Sequence, residues 1–261
     1  MLLSTILLGA TALSGVFGIP APAAEPEPKT SISVVEKRKN FWFAGVNESG
    51  AEFGSGNIPG TKGTDYTWPL TSSVDTLMGK GFNIFRIPFL IRGLTIVRER
   101  LVPSTLYSGV NSAYLADMKT GNSYTGAWTW VSSGTSTAMG ALTDPNNNII
   151  YEMHQYLDSD GSGTSSTCVS TTIGKERLAA ATAWLKNNGK NGILGETAAG
   201  SNSVCISAIT GMLEYMKENN DVWRGWLLWG GGPWWGSYMF SVEPPSGTQY
   251  TGVVPSVLQY I

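Results

Sequence analysis

Residues 191–200 read NGILGETAAG: a short apolar run, one carboxylate, then small residues. A run of this length between turn-forming residues suits a buried strand. It leads straight into Glu196, and the alanines and glycine that follow leave the carboxylate uncovered. The segment reads as a strand whose end presents an acid. On its N-terminal side KERLAAATAWLKNNG (175–189) is helical, and on its C-terminal side VCISAITGMLEYMKENN (204–220) is helical too.

The same alternation extends outward. FWFAGV (41–46), FNIFRIPF (82–89), NIIYEMHQYL (148–157) and WRGWLLWGGGPWW (223–235) read as strands, the last opening into a Gly-rich loop. SSVDTLMGKG (72–81) reads as a short helix with Val74, Leu77 and Met78 on its inner face and Gly81 as its stop, and SAYLADMK (112–119) begins another. Strands alternating with helices of ten or more residues indicate parallel βα units. Polar and ionisable residues gather at the strand ends, where α/β barrels build their sites. Arg86 sits inside an apolar run and needs a carboxylate partner. Glu152, His154 and Tyr156 alternate along one strand face. His154 is the chain's single histidine, a residue type that more often serves a structural hydrogen bond. Trp229 stands at a strand end with Trp234 and Trp235 in the loop after it; these tryptophans fit either loop packing or a sugar platform.

Composition narrows the function classes. Of 261 residues only 14% are charged, and the net charge is −2, which argues against nucleic acid and anionic membrane as partners. Ten Trp and ten Tyr offer flat faces for the C–H faces of a neutral sugar, and equally suit an aromatic-rich core. The N-terminus reads MLLSTILLGATALSGVFG and then IPAPAAEPEP, resembling a secretory signal peptide over residues 1–24. A Pro/Glu/Ser-rich segment at 25–38 ends in the dibasic pair Lys37-Arg38 and is expected to be a disordered pro-segment. One domain is expected over 39–261, with an extracellular, monomeric product. In an oxidising compartment Cys168 and Cys205 suggest one disulfide between the loop after one strand and the helix start after the next; two buried thiols are the alternative.

GVNESGAEFG (45–54), FNIFRIPF, GNSYTGAWTW (121–130), YEMHQYLDSDGSGTSSTCVS (151–170), GILGETAAGSNSVC (192–205) and GPWWGSYMFSVEPP (232–245) together resemble the secreted fungal endo-β-1,4-glucanases of glycoside hydrolase family 5. The resemblance runs in order from residue 41 to the C-terminus. It implies a (β/α)8 TIM barrel and retaining hydrolysis of cellulose-like β-1,4-glucans without metal or cofactor. It further implies Glu196 as nucleophile, Arg86 as the cation that keeps it ionised, His154 and Tyr156 lining the catalytic subsite, Trp229 as the stacking platform, and Cys168–Cys205 as a family disulfide. Leu228 replaces an aromatic often found beside that platform.

One part of the family pattern has no match. Its acid/base is the Glu of an Asn-Glu pair ending strand four, and a His-Asn pair ends strand three. Here SAYLADMKT matches the helix after strand two and the next residues match the loop after strand five, so the join falls near residues 119–121. Strands three, four and most of five, on the order of 80 residues at a barrel's usual repeat, are expected to be missing. About residues 93–98 the chain carries a short insertion instead. Glu152, two residues before His154, is expected to lie deeper in the barrel and buried, and Glu48 and Glu52 are poor substitutes for the acid. The expected product is either an endoglucanase with an impaired centre or a truncated isoform that at most binds β-glucan. Asn47, in an Asn-Glu-Ser sequon, is expected to be unglycosylated.

Overall fold

In a computed structural model of the chain, the described residues are 40–57, 60–88, 126–146 and 148–261, and they belong to one compact unit, Arg38–Ile261. The leader, the pro-segment, the 93–98 insertion, the helix expected from residue 112 and the junction near 119–121 lie outside them.

Five strands form a parallel sheet: β1 (Phe43–Glu48), β2 (Ile84–Arg86), β3 (Ile150–His154), β4 (Asn191–Thr197) and β5 (Trp223–Gly231). Their order across the sheet is β2-β1-β5-β4-β3. Apart from β2 and β3, which form the two edges, neighbours in sequence are neighbours in space, and first and last strands pair, as in a (β/α) barrel of which this sheet is one arc. Helices follow the strands: α1 (Thr71–Met78), α2 (Thr135–Gly140), α3 (Ile173–Asn187), α4 (Ser203–Glu218), α5 (Thr248–Gly252) and α6 (Val254–Val257). Where strand five of a barrel would end, Gly126 makes a single parallel bridge to His154.

The sheet lies against its helices through large side chains. Trp223 and Trp226 of β5 are fully buried, as are Leu178, Leu185, Ile209, Met212 and Leu213 of α3 and α4. Trp223 donates its indole hydrogen to Thr182 Oγ1 at 2.9 Å, so even the polar edge of this ring is satisfied inside the core. Gly45 shows how closely β1 and β2 approach, because a side-chain carbon there would overlap the Ile84 carbonyl. The α1 face departs from expectation. Leu77 is buried together with Ser73, one turn earlier, whereas Met78 is 56% exposed; the helix is short and only its 73/77 stripe is covered.

A buried carboxyl closes the top of β1. Glu48 is fully inaccessible, neither oxygen has a hydrogen-bond partner, and Glu243 lies near enough to repel it. Burial first, and the Glu243 charge second, push its carboxyl up from 4.5 to about 7. The folded chain therefore binds a proton here more tightly than the unfolded chain does. The contribution of this group to stability is fully present below pH 4.5 and is lost as pH rises through about 7, about 3 kcal/mol in all. Urea unfolding at a series of pH values should show this decline, and Glu48→Gln should flatten it while making the chain more stable at pH 8.

Candidate active site

At the C-terminal end of the sheet, side chains from the ends of β2 and β3 converge on Glu196 of β4, whose side chain is 14% exposed. Arg86, from the end of β2, donates from Nη1 to Glu196 Oε1 at 2.6 Å. Tyr156, two residues past β3, donates its hydroxyl to Oε2 at 2.9 Å. His154 Nδ1 lies 3.3 Å from that same oxygen. A β-bulge between Met153 and His154 sets His154 opposite Glu196 in the ladder, which brings the imidazole level with the carboxylate. Arg86 therefore has the carboxylate partner that its apolar surroundings demand.

Burial raises the Tyr156 hydroxyl far above the ordinary phenol value, and the Glu196 charge raises it further. Tyr156 thus remains a donor to the carboxylate at any working pH. Glu152 departs from the expectation of burial: its side chain is 38% exposed, and it lies 2.9 Å from His154 Nε2 and 3.5 Å from Arg86 Nε. Its position two residues before His154 on β3 puts its Cα deeper along the strand, as expected. That position could not show that the carboxylate would lean across β4. Burial is the largest single influence on this carboxyl and works upward, but the hydrogen bond to His154 and the charges of His154 and Arg86 outweigh it, so the net shift is downward.

The groove above Glu196 has a volume of about 660 Å³. Trp229 and Tyr238 line one part of its wall, and Trp128, Gly126 and the 160–163 loop line another. Trp229 stands edge-on to Trp235, which stacks on Tyr238 at 4.3 Å and meets Phe53 edge-on. Trp235 also donates to the Gly231 carbonyl, so of the two loop tryptophans it is packed into the loop, whereas Trp234 is 40% exposed beside Phe53.

The opposite wall is preordered. Asp158 accepts from the backbone N–H groups of Gly163, Thr164 and Ser165, and Arg177 donates to the carbonyls of Tyr156 and Ser159. The Cys168–Cys205 disulfide joins this loop to the first turn of α4, the connection expected from the sequence. Asn202 caps that turn by accepting from the Cys205 N–H. A carboxylate held by two donors at the floor of an aromatic-walled groove can attack an electrophilic carbon or stabilise a developing cation.

Known proteins similar to this chain give its family. The chain is 40% identical to endo-β-1,4-glucanase B of Aspergillus niger, with 99% of each chain covered. The Cellulase (glycosyl hydrolase family 5) profile matches residues 118–232. The chain belongs to glycoside hydrolase family 5. Among solved structures, an endo-β-1,4-glucanase of Xanthomonas axonopodis pv. citri superposes with a TM-score of 0.68 at 28% identity, covering 84% of this chain and 99% of that one. XacCel5A in complex with cellopentaose gives 0.69 at 29% identity, with 84% and 98% covered. Family 5 membership makes the chain a glycosidase by descent and its sheet a partial (β/α) barrel.

Three residues of this family 5 site escaped sequence reasoning. Asn47 is fully buried; its Nδ2 donates to the carbonyls of Gly195 and Leu228, and its Oδ1 accepts from Arg86 at 2.8 Å. It thereby ties β1 to the residues just before Glu196 and Trp229, and with its amide so committed it is no glycan acceptor in the folded chain. Gln249 of α5 donates to the Trp229 and Phe240 carbonyls and accepts from the Ala199 N–H. Trp128 is 46% exposed on the groove wall, with the Arg177 guanidinium 4.3 Å from its ring. Trp128 and Asn47 lay within segments matched to the family, GNSYTGAWTW and GVNESGAEFG, whereas Gln249 carried no sequence signal.

Proposed function

We propose that this chain is a secreted, monomeric enzyme of the retaining endo-β-1,4-glucanase type. Its groove takes a cellulose-like glucan, and it keeps the attacking half of the cleavage centre. The observation that carries the proposal is the Glu196 carboxylate, held by Arg86 on one oxygen and Tyr156 on the other at the groove floor. In the attack, a Glu196 oxygen bonds to the anomeric carbon as the glycosidic C–O bond breaks and its electron pair leaves with the departing oxygen. Trp229 supplies the stacking face, and the cellopentaose complex of XacCel5A supports a β-1,4-linked ligand.

The second half of the centre is a proton donor for the leaving oxygen. No strand-four Asn-Glu pair can be matched in the sequence. Among the described residues the groove's other carboxylate is Asp160, which hydrogen bonds from the Ser162 side chain and backbone hold below the usual range, so it retains its proton poorly. Glu48 has a suitable proton affinity but is sealed in the interior. Loss of general acid assistance lowers the rate on the order of 10²–10⁴-fold. The chain is therefore expected to attack activated glycosides and to turn over unactivated glucan weakly.

A second reading, a truncated form that binds glucan without cutting, is favoured by one comparison: the alignment with the Aspergillus niger enzyme extends over 347 positions, against 261 residues in this chain. Two substrates separate the readings. Carboxymethylcellulose requires both carboxyl groups, whereas 2,4-dinitrophenyl 2-deoxy-2-fluoro-β-cellobioside carries a leaving group that departs without a proton. Labelling of Glu196 by the fluorosugar with little action on carboxymethylcellulose is the expected result. Strong carboxymethylcellulose hydrolysis would show that a second acid is supplied after all. An unlabelled chain that still binds cellopentaose would establish the second reading.

A further inference from the structure

The chain contains a carboxylate that no step described above uses. Glu152 Oε1 stands 2.9 Å from His154 Nε2 and 3.5 Å from Arg86 Nε. The far side of each partner faces Glu196: Arg86 Nη1 lies 2.6 Å from Oε1 and His154 Nδ1 lies 3.3 Å from Oε2. Glu152, Arg86, Glu196 and His154 thus form a closed ring in which two carboxylates alternate with a cation and an imidazole. A single oxygen of Glu152 serves both neighbours, and the other two members each meet a different oxygen of Glu196.

The backbone is shaped around this carboxylate. A side-chain carbon on Gly195 would overlap Glu152 Oε1, Cδ and Cγ, so the glycine preceding Glu196 provides the space in which the Glu152 carboxyl lies. Glu152 and Glu196 come from adjacent strands with the Met153/His154 bulge between their registers, and that offset lets the two acids meet the same partners without meeting each other. Glu152 is therefore placed to fix the Arg86 and His154 side chains from the side opposite the substrate.

We propose that Glu152 is a positioning residue for attack by Glu196: it orients Arg86 and His154, and through them the nucleophilic carboxylate. The inference rests on the retaining reading given above. The ionised form that the role requires is also the form favoured by its neighbours' charges. Without Glu152, His154 loses one of its two carboxylate partners, and Arg86 keeps only Asn47 and Glu196 on Nη1 while its Nε loses its carboxylate; a displacement of Glu196 by about 1 Å is enough to slow attack on the order of 100-fold.

The full 261-residue chain provides the test. With 2,4-dinitrophenyl 2-deoxy-2-fluoro-β-cellobioside, Glu196 forms an ester to the sugar's anomeric carbon and dinitrophenolate departs with the bond's electron pair. The maximal labelling rate reports attack, and the half-saturating concentration reports binding. Glu152→Gln is expected to slow maximal labelling about 10- to 100-fold while leaving half-saturation unchanged. Glu152→Asp, which keeps the charge, should recover part of the loss. Because His154 is the chain's only histidine, its imidazole signals in a proton–nitrogen NMR spectrum are unambiguous, and the Nε2 proton should move upfield in Glu152→Gln. That spectrum also shows whether the variant is folded; should Glu152→Gln unfold, Glu152→Asp carries the test, with slower labelling and a displaced Nε2 signal expected. Labelling at the unaltered rate in a folded variant, or a change confined to half-saturation, would overturn the positioning role. If the unaltered chain itself acquires no label at Glu196, the retaining reading fails first and takes this proposal with it.

Discussion

Replacing Glu196 by Gln is expected to abolish covalent labelling by the activated fluorosugar and whatever β-glucan hydrolysis the chain performs, a loss on the order of 10⁵-fold. The substitution is nearly isosteric, so groove and sheet should persist. The chemistry does not persist, because an amide oxygen is a poor nucleophile toward an anomeric carbon. The contacts around it change as well. Arg86 and Tyr156 both donate to Glu196, and an amide offers only one acceptor oxygen to these two donors. The amide oxygen is left to Arg86, and the Tyr156 hydroxyl must turn to accept from the amide nitrogen instead of donating. Measured dinitrophenolate release should fall to the spontaneous rate, with cellopentaose affinity retained within a few-fold. Release that persists in Glu196→Gln would place the attacking group elsewhere in the groove.

The largest stability effect is expected from Trp223→Ala. The ring is fully buried between β5 and α3, lies over Gly192, and spends its one polar atom on Thr182. Truncating a buried Trp costs about 3–5 kcal/mol, from lost transfer free energy and from the cavity left behind. Thr182 keeps its own bond to the Leu178 carbonyl, so no orphaned hydroxyl adds to the penalty. For a domain of this size the loss lowers the melting temperature by about 2–4 °C per kcal/mol, roughly 10–15 °C in all. Calorimetry on the variant checks the figure. A shift of only a degree or two would mean that α3 collapses into the space and that the packing of this arc is looser than the burial of its side chains indicates.

The parallel βα order, the strand that ends on Glu196, the pair His154 and Tyr156, and the disulfide between Cys168 and Cys205 were all legible in the sequence. Each is carried by a local pattern: an apolar run with a polar end, alternation on one strand, an even cysteine count. Bonds between residues far apart in the chain were not legible. Asn47 lies 148 residues from Gly195, whose carbonyl it holds, and within its own segment nothing distinguishes it from a turn residue or a sequon. Gln249 reads as an ordinary helix residue until the fold brings it beneath Trp229. Met78 was misassigned because periodicity gives the faces of a helix but not how much of a short helix the sheet covers.

The sequence by itself determined the family, the direction of the strands and the identity of the central carboxylate, because these depend on residue type and order along the chain. Only the tertiary structure decided how that carboxylate is held. Parallel pairing brings β1, β2, β3 and β4 to one rim, and the register shift between β3 and β4, which leaves Gly195 unpaired, sets which residues stand level there. Side-chain reach across neighbouring strands then turned Glu152 from an expected buried acid into a partner of Arg86 and His154. Register and reach are properties of packed strands, and no single segment encodes them.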